Sequence, residues 1–500
     1  MILKTLKSLF SESSSRTSKS SAIDHSLDYL DSEDLSEQTW TWLPSEIIGH
    51  ILEYLPPFFN IQVCSLICKQ FRRSLKDIDL YGVDFSLFWS GDANRTFNNK
   101  RCLENRYADR FVDIQLPFWI IGKDEDVKCI VHCPNMKRLR RLVMNGGRSG
   151  FFRTDSLALS IIGKSSVLTE LQELEFKFHS YGITSNETTN MEDLITSASM
   201  KNITSLNFEQ TFIMDTGVRI LFSDKSCLDQ LKRLVLDASG VGNEGIKAMC
   251  ASEKCKNLTH LSLRRIDLGP HAIVLSYLAS SPYLTQLTHL DMSSCFSQTP
   301  SYESKEYEKM FSSSQNLIHL KTLILSMNRF TQNIFQAIPK WDYLERLDIS
   351  STEIGDAGIQ LMTKSPSLHS LKHLDISNCR IGVVGASAIS KFNMPYLKSL
   401  KMNSNKISNK GMEHFCNSRL LCSGLEVLQL NANYIGIEGA IMLSRVEKIT
   451  LFELSLLDNN FGKQGFEAIM SNDKLLKIVK LDEIKEPLSK IAPLSLYDIE

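Results

Sequence analysis

The sequence predicts an α/β solenoid, with parallel strands on its inner side and helices on its outer side, preceded by a small α-helical segment. Three observations carry that expectation. A leucine phrase recurs at short intervals, glycine-marked apolar stretches separate its copies, and a two-helix pattern stands ahead of the first copy. A length of 500 residues suggests about three domains by itself. A repeat of this kind overrides that prior.

Composition narrows the functional classes. Hydrophobic residues make up 43% and charged residues 23%, ordinary for a soluble globular chain. The formal net charge is -1 and no long basic block appears, so neither nucleic acid nor an anionic membrane is expected as a partner. "FVDIQLPFWIIG" (111–122) is too short to span a bilayer and carries Asp113. At the start, Lys4 and Lys7 interrupt the apolar residues and no small-residue cleavage site follows, which argues against a secretory signal. A mitochondrial presequence is the weaker alternative, because the first eleven residues lack acids. Twelve cysteines without a signal point to a reducing compartment, so the expected localisation is cytoplasmic, with the nucleus as a second site.

Taken in order, residues 1–38 read as a disordered arm. Seven of the residues 11–21 are serine, open to phosphorylation, and Asp24, Asp28, Asp31, Glu33 and Asp34 follow. Residues 39–80 read as the helical segment. Ile47, Ile51 and Leu55 fall four apart and share one helix face, which stops at Pro56 and Pro57. Asn60 is placed to cap a second helix, with Val63, Leu66, Ile67 and Phe71 on one side and Lys69, Arg72 and Arg73 near its end. So few short helices make a poor core alone. The segment needs a partner, inside the chain or outside it.

Residues 81–138 read as a linker with divergent first repeats. "LKDIDL" (75–80) and "FVDIQL" (111–116) are candidates for them. Residues 139–482 form the array, and 483–500 a tail. The phrase is leucine, two variable residues, leucine, one variable residue, leucine. It occurs thirteen times, from "LRRLVM" at 139 to "LKIVKL" at 476, in steps of 24 to 33 residues. Its fourth and sixth positions point into the core from a short strand, and the residues between them face outward. Three residues past the last leucine stands a polar or small residue: Cys295, Asn328, Thr352, Cys379, Asn405, Asn433 and Asn459. Such side chains can pair the backbone groups of the loop leaving the strand, which gives Cys295 and Cys379 a structural role. "VGNEG" (241–245), "IGDAG" (354–358), "IGVVG" (381–385), "IGIEG" (435–439) and "FGKQG" (461–465) then lead into apolar helices, such as the one carrying Ile381, Ala386 and Ile389. The helix returns the chain so that the next strand lies parallel.

These repeats resemble leucine-rich repeats of the long, ribonuclease-inhibitor-like type. The likeness covers 139–482 and is strong from 231; before that the ladder residue and the glycines are degraded. The segment ahead resembles an F-box. "LPSEI" (43–47), Ile51, Leu55 and "LICKQFRR" (66–73) follow that pattern: Leu43, Pro44, Glu46, Cys68, Lys69 and Phe71 match, and Ile67 stands where valine is commoner. The link "PPFFNIQ" (56–62) departs from it, lacking the usual acidic residue and running one residue longer.

The resemblance implies a Skp-family adaptor as partner, bound through Leu43, Pro44, Glu46, Ile47, Ile51, Leu55, Ile67, Cys68, Lys69 and Phe71. Through the adaptor it implies cullin and RING subunits. It further implies that the chain is the non-catalytic substrate receptor of an SCF-type ubiquitin ligase, marking a protein for proteasomal degradation. The expected substrate face is the inner one, with Glu345, Arg346, Asp348, Lys372, His373, Asp375, Lys398, Lys401, Glu426 and Gln429. Its mixed charge suits a protein more than a uniform polyanion. The Ser-rich insert "SQTPSYESKEYEKMFSSSQ" (297–315) is a rival contact.

Blander readings stand beside these. The opening helices are alternatively a cap closing the first repeat. The whole is then a protein-binding scaffold, or a regulator like the GTPase-activating proteins with long leucine-rich repeats, with Arg264 and Arg265 the nearest candidates for a catalytic arginine. Cys64/Cys68 and Cys129/Cys133 lack the paired spacing of structural zinc. His260 and His289 hold the third position of consecutive repeats and read as solvated inner-face histidines, since no carboxylate or cysteine joins them at a fixed place. No Gly-rich phosphate loop or nucleophile motif appears. No metal, cofactor or catalytic residue is expected.

Overall fold

A computed structural model describes residues 83–84, 111–116, 124–145, 157–177, 185–268, 273–296, 316–330, 332, 335, 341–365, 368–422 and 424–481. The F-box-like segment, the insert 297–315 and the tail 483–500 lie outside the described residues. Contacts divide the chain into two units, Met1–Leu206 and Asn207–Glu500, a division inside the span expected as one array.

In the first unit, strands β1 (Val83–Asp84), β2 (Asp113–Leu116), β3 (Arg141–Asn145) and β4 (Glu173–Lys177) pair in parallel and in chain order. Helices α1 (Asp124–Val131), α2 (Ala158–Gly163) and α3 (Ser185–Ile195) follow β2, β3 and β4. Strand β2 lies within "FVDIQL" and pairs with β3; "LKDIDL" lies outside the described residues, and β1 falls just after it. Ile114, Leu142 and Leu174 stack in register and are buried. Strand β5 (Ser205–Asn207) stands at the division between the units.

The second unit continues the strand–helix alternation. Its strands are β6 (Arg233–Val235), β7 (His260–Ser262), β8 (His289–Asp291), β9 (Thr322–Ile324), β10 (Arg346–Asp348), β11 (His373–Asp375), β12 (Ser399–Lys401), β13 (Val427–Gln429), β14 (Glu453–Ser455) and β15 (Val479–Lys480). All are parallel, each paired with its chain neighbours. The described helices are α4 (Met214–Leu221), α5 (Asn243–Cys250), α6 (Ile273–Ser280), α7 (Gly355–Met362), α8 (Val383–Lys391), α9 (Ser408–Cys416), α10 (Ile437–Ser444), α11 (Gly462–Met470) and α12 (Leu475–Ile478). Every copy of the leucine phrase became a strand.

Strands of three residues are too short to hold themselves. Two devices extend them. Just past each core-facing leucine the chain turns through a left-handed residue: Ser294, Met327, Ser351, Asn378, Ser404, Ala432 and Asp458 lie at φ 53° to 58°. That turn aims a backbone N–H at the next repeat, as in Ser351 N to Ser377 O at 2.8 Å and Asn378 N to Asn403 O at 2.7 Å. The ladder side chain then fills the bend. Asn405 is 2% exposed; its Oδ1 accepts from Cys379 N and Ile381 N, each at 3.0 Å, and its Nδ2 donates to Ile376 O and Met402 O, each at 3.0 Å. Asn328 and Asn459 make the equivalent bonds. Cys295 donates to Leu263 O at 2.8 Å and Cys379 to Ile349 O at 3.1 Å, so these thiols do the hydroxyl's work in the ladder. Burial pushes their thiol pKa values up, to about 12 and about 11, which keeps them protonated donors.

Candidate functional site

The inner face is a set of columns running across the strands. In the second unit the outermost begins one residue ahead of each strand, with Lys321, Glu345, Lys372, Lys398 and Glu426. Its glutamates are both taken: Lys372 pairs with Glu345 at 3.0 Å and Lys398 with Glu426 at 2.7 Å. The next column is Arg233, His260, His289, Thr322, Arg346, His373 and Ser399, aligned by the strand register. Two residues further along lie Ser262, Asp291, Ile324, Asp348, Asp375, Lys401 and Gln429. The structure brings the sequence-expected substrate residues 345–429 together on this one face.

The carboxylates there are shaped by their own loops. Asp348 Oδ1 accepts from Ser350 N at 3.0 Å and from its hydroxyl at 2.7 Å; Asp375 Oδ1 accepts from Ser377 N at 3.0 Å. Burial pushes the Asp375 carboxyl above the ordinary range; the Ser377 bonds counter this only in part, and the charge of Asp348 adds to it. Burial likewise raises Asp291 and Asp237. In the first unit the same kind of position is handled differently. Glu175 takes hydrogen bonds from both Lys177 and Arg141, and Arg141 also reaches Asp113 at 3.0 Å and Glu173 at 3.4 Å. Burial pushes Glu175 up, but those two cations win and hold it below the usual range.

His260 and His289 stack face to face, with ring centroids 3.8 Å apart and planes 14° from parallel. Thr259 Oγ1 lies 3.1 Å from Lys232 O and 2.8 Å from His260 Nδ1, and Thr288 Oγ1 lies 3.1 Å from Thr259 O and 2.9 Å from His289 Nδ1, so each threonine anchors one ring. Burial first, then the neighbouring His289 and Arg233, lower the His260 pKa to about 4. The His260 ring is therefore neutral near pH 7, and burial lowers the His289 pKa as well. Among the described residues no three histidine, cysteine, aspartate or glutamate side chains converge as a metal site would require. Arg264 leans on Asp291 at 3.8 Å, and Arg265 sits in a left-handed turn.

One recurrent feature escaped sequence reasoning. Asp215 Oδ1 caps the helix of the following repeat, accepting from Gly242 N at 2.7 Å and Gly245 N at 2.9 Å. Asp356 does this for Gly382 and Gly385, and Asn409 for Gly436 and Gly439. A Cβ on Gly385 would stand 2.6 Å from Asp356 Oδ1, so glycine is required by the cap. The available signal was an Asp or Asn two residues before the glycine, as in "DAG" and "NKG".

Residues 40–81 match the F-box domain family, and 343–362, 367–390 and 393–416 match the leucine-rich repeat. The chain carries an F-box followed by leucine-rich repeats. The F-box match includes every expected adaptor-binding residue from Leu43 to Phe71, all of which lie outside the described residues. Over 243 residues the chain is 25% identical to F-box protein SKIP19 of Arabidopsis thaliana, covering 46% of this chain and 71% of that protein. It is 24% identical to NACHT, LRR and PYD domains-containing protein 4C of Mus musculus, over 88% of this chain and 47% of that protein. Among solved structures it is similar to an internalin from Listeria monocytogenes, with 17% identity, TM-score 0.43, and 85% of this chain and 100% of that one covered. A leucine-rich-repeat protein from Leptospira interrogans is similar too, with 17% identity, TM-score 0.40, and 77% and 98% covered.

Proposed function

We propose that the chain is the substrate-recognition subunit of an SCF-type ubiquitin ligase. Its F-box would dock a Skp-type adaptor, and through it cullin and RING subunits, while the repeats hold a protein substrate for ubiquitination and degradation. The observation that carries this reading is the F-box match at 40–81 standing directly ahead of the repeat array. The physical logic agrees with it: a greasy helical segment too small for its own core gains one from an adaptor. The strands and ladder give a rigid face with mixed charge, suited to recognition. On this reading the chain supplies no catalytic group, and it works in the cytoplasm and nucleus.

The test is capture of a purified Skp-type adaptor by the full chain. Ile51→Ala with Leu55→Ala removes two apolar anchors, at roughly 2–5 kcal/mol each if both are buried at the contact. Capture should be lost while the thermal transition of the repeats is unchanged. Undiminished capture by the double variant overturns the proposal and leaves the helices as a solenoid cap.

A further inference from the structure

The charges of the inner face are not equally committed. In the outer column each glutamate between 345 and 426 already holds a lysine, and in the first unit Glu175, Glu173 and Asp113 already share Arg141. A different situation holds across β10, β11 and β12. Arg346, Asp348, His373, Asp375, Ser399 and Lys401 line one shallow depression. No ion pair within 4.0 Å joins Arg346, Asp348, Asp375 or Lys401 to any described residue. Asp348 and Asp375 are register partners on adjacent strands, whose backbones run about 4.8 Å apart, with Oδ1 of each occupied by its own loop. Two carboxylates at that spacing repel, and their partial burial sharpens the repulsion. Glu175 in the first unit holds two cations and Asp291 has Arg264 at 3.8 Å, whereas the charge of Lys401 reaches Asp375 without an ion pair within 4.0 Å.

We infer that this depression docks a mixed-charge segment of a protein partner, seating a lysine or arginine between Asp348 and Asp375 and a neighbouring acidic side chain on Arg346 or Lys401. The inference rests on the substrate-receptor reading and names the chemistry that such a substrate presents. One ammonium or guanidinium can reach two carboxylates on neighbouring strands with short charge-assisted hydrogen bonds. The partner's acid is placed by two cations that flank the pair and make no ion pair within 4.0 Å among the described residues. A phosphorylated residue at the same point would meet the two carboxylates at close range, so the central position is read as cationic. The His373 ring borders the depression, and its charged form is disfavoured, by burial first and then by Arg346 and Lys372.

The test is binding of the full chain to labelled synthetic peptides of one length. The first alternates lysine with glutamate, the second replaces lysine by glutamine, and the third replaces lysine by phosphoserine. The first should bind, and Asp348→Asn with Asp375→Asn should weaken it by about tenfold or more. Asparagine keeps the Oδ1 acceptor that Ser350 and Ser377 use, so the fold should hold, as a thermal melt will check. Arg346→Gln with Lys401→Gln is a second variant, outside those turns, and should weaken the same peptide. Glu413→Gln with Glu467→Gln, exposed on helices α9 and α11, removes the same charge away from the inner face and should leave it within about twofold. Equal loss in that control overturns the proposal in favour of diffuse attraction. Tighter binding of the phosphoserine or glutamine peptide also overturns it. Adaptor capture on the same preparation separates the two ideas: peptides failing while the adaptor binds removes this inference alone.

Discussion

Asn405 shows how one side chain holds two repeats. Its amide pairs four backbone groups belonging to its own turn and to the turn before it. Asn405→Leu strands those groups in a dry bend, at about 1–3 kcal/mol for each one left unpaired. A urea melt of the full chain should show the loss, and an unchanged midpoint would mean the bend is held by something else. Met327 is the converse case. It is 56% exposed and held at φ 58°, where a side chain gains nothing and its Cβ is crowded. Met327→Gly should therefore stabilise by up to about 1 kcal/mol, the strain relieved less the entropy glycine loses. A lower melting temperature would show that the methionine packs in a way the turn geometry does not reveal. The ladder residues were legible because they recur at a fixed distance from the leucines. The left-handed residues before them were not, since Ser, Met, Asn, Ala and Asp share no chemistry there.

Helices and strands carry the next set of consequences. The short helices gain stability from the repeat before them, through Asp215, Asp356 and Asn409. Asp356→Ala should cost about 0.5–2 kcal/mol, the usual worth of a helix cap. It should also open exchange at the Gly382 and Gly385 amides, measurable by hydrogen exchange. Two strand carboxylates, Asp375 and Glu175, respond to pH in opposite senses. Asp375 has its folded pKa raised above the ordinary 3.8, so the stability it lends is fully present below 3.8 and declines as pH rises through the folded value. Glu175 has its folded pKa lowered below the ordinary 4.5, so its contribution is present above 4.5 and is lost as pH falls through the folded value. Urea melts between about pH 3 and pH 7 should show Asp375→Asn flattening the decline on the alkaline side and Glu175→Gln removing the loss on the acid side. A shared direction for both variants would contradict the charge assignments.

The chain as a whole divides its proposed tasks between distant segments, which makes them separable. Removing residues 1–80 should abolish adaptor capture and leave the repeat melting transition in place. Lys398→Glu with Lys401→Glu should do the reverse. Lys398 is held by Glu426 at 2.7 Å and Lys401 has no ion pair among the described residues, so the change sets two acids beside Glu426 and Asp375. Substrate capture should fall with adaptor binding intact. Proximity labelling with the intact protein, this variant and a deletion of 297–315 would locate the reading surface. A labelled set that changes only on deleting the insert would move recognition off the inner face.

The sequence by itself determined the repeat, the strand at each leucine phrase, the helix after each glycine pair, the ladder and the F-box pattern. Each is written in local spacing, and a period of two or of three to four residues fixes which face a side chain takes. It also placed residues 345–429 on one inner face, because parallel strands in register carry equal positions into one column. Only the tertiary structure decided which of those charges are already committed. Lys372 and Glu345 lie 27 residues apart in sequence and Arg141 and Glu175 lie 34, and nothing in either neighbourhood announces the pairing. The stacking of His260 on His289 and the caps passed from one repeat to the next depend likewise on exact cross-repeat distance. Charge pairing and hydrogen bonding fall off within a few ångströms, so they are settled by where the stacking sets each atom, and the spacing of residues along the chain leaves that open.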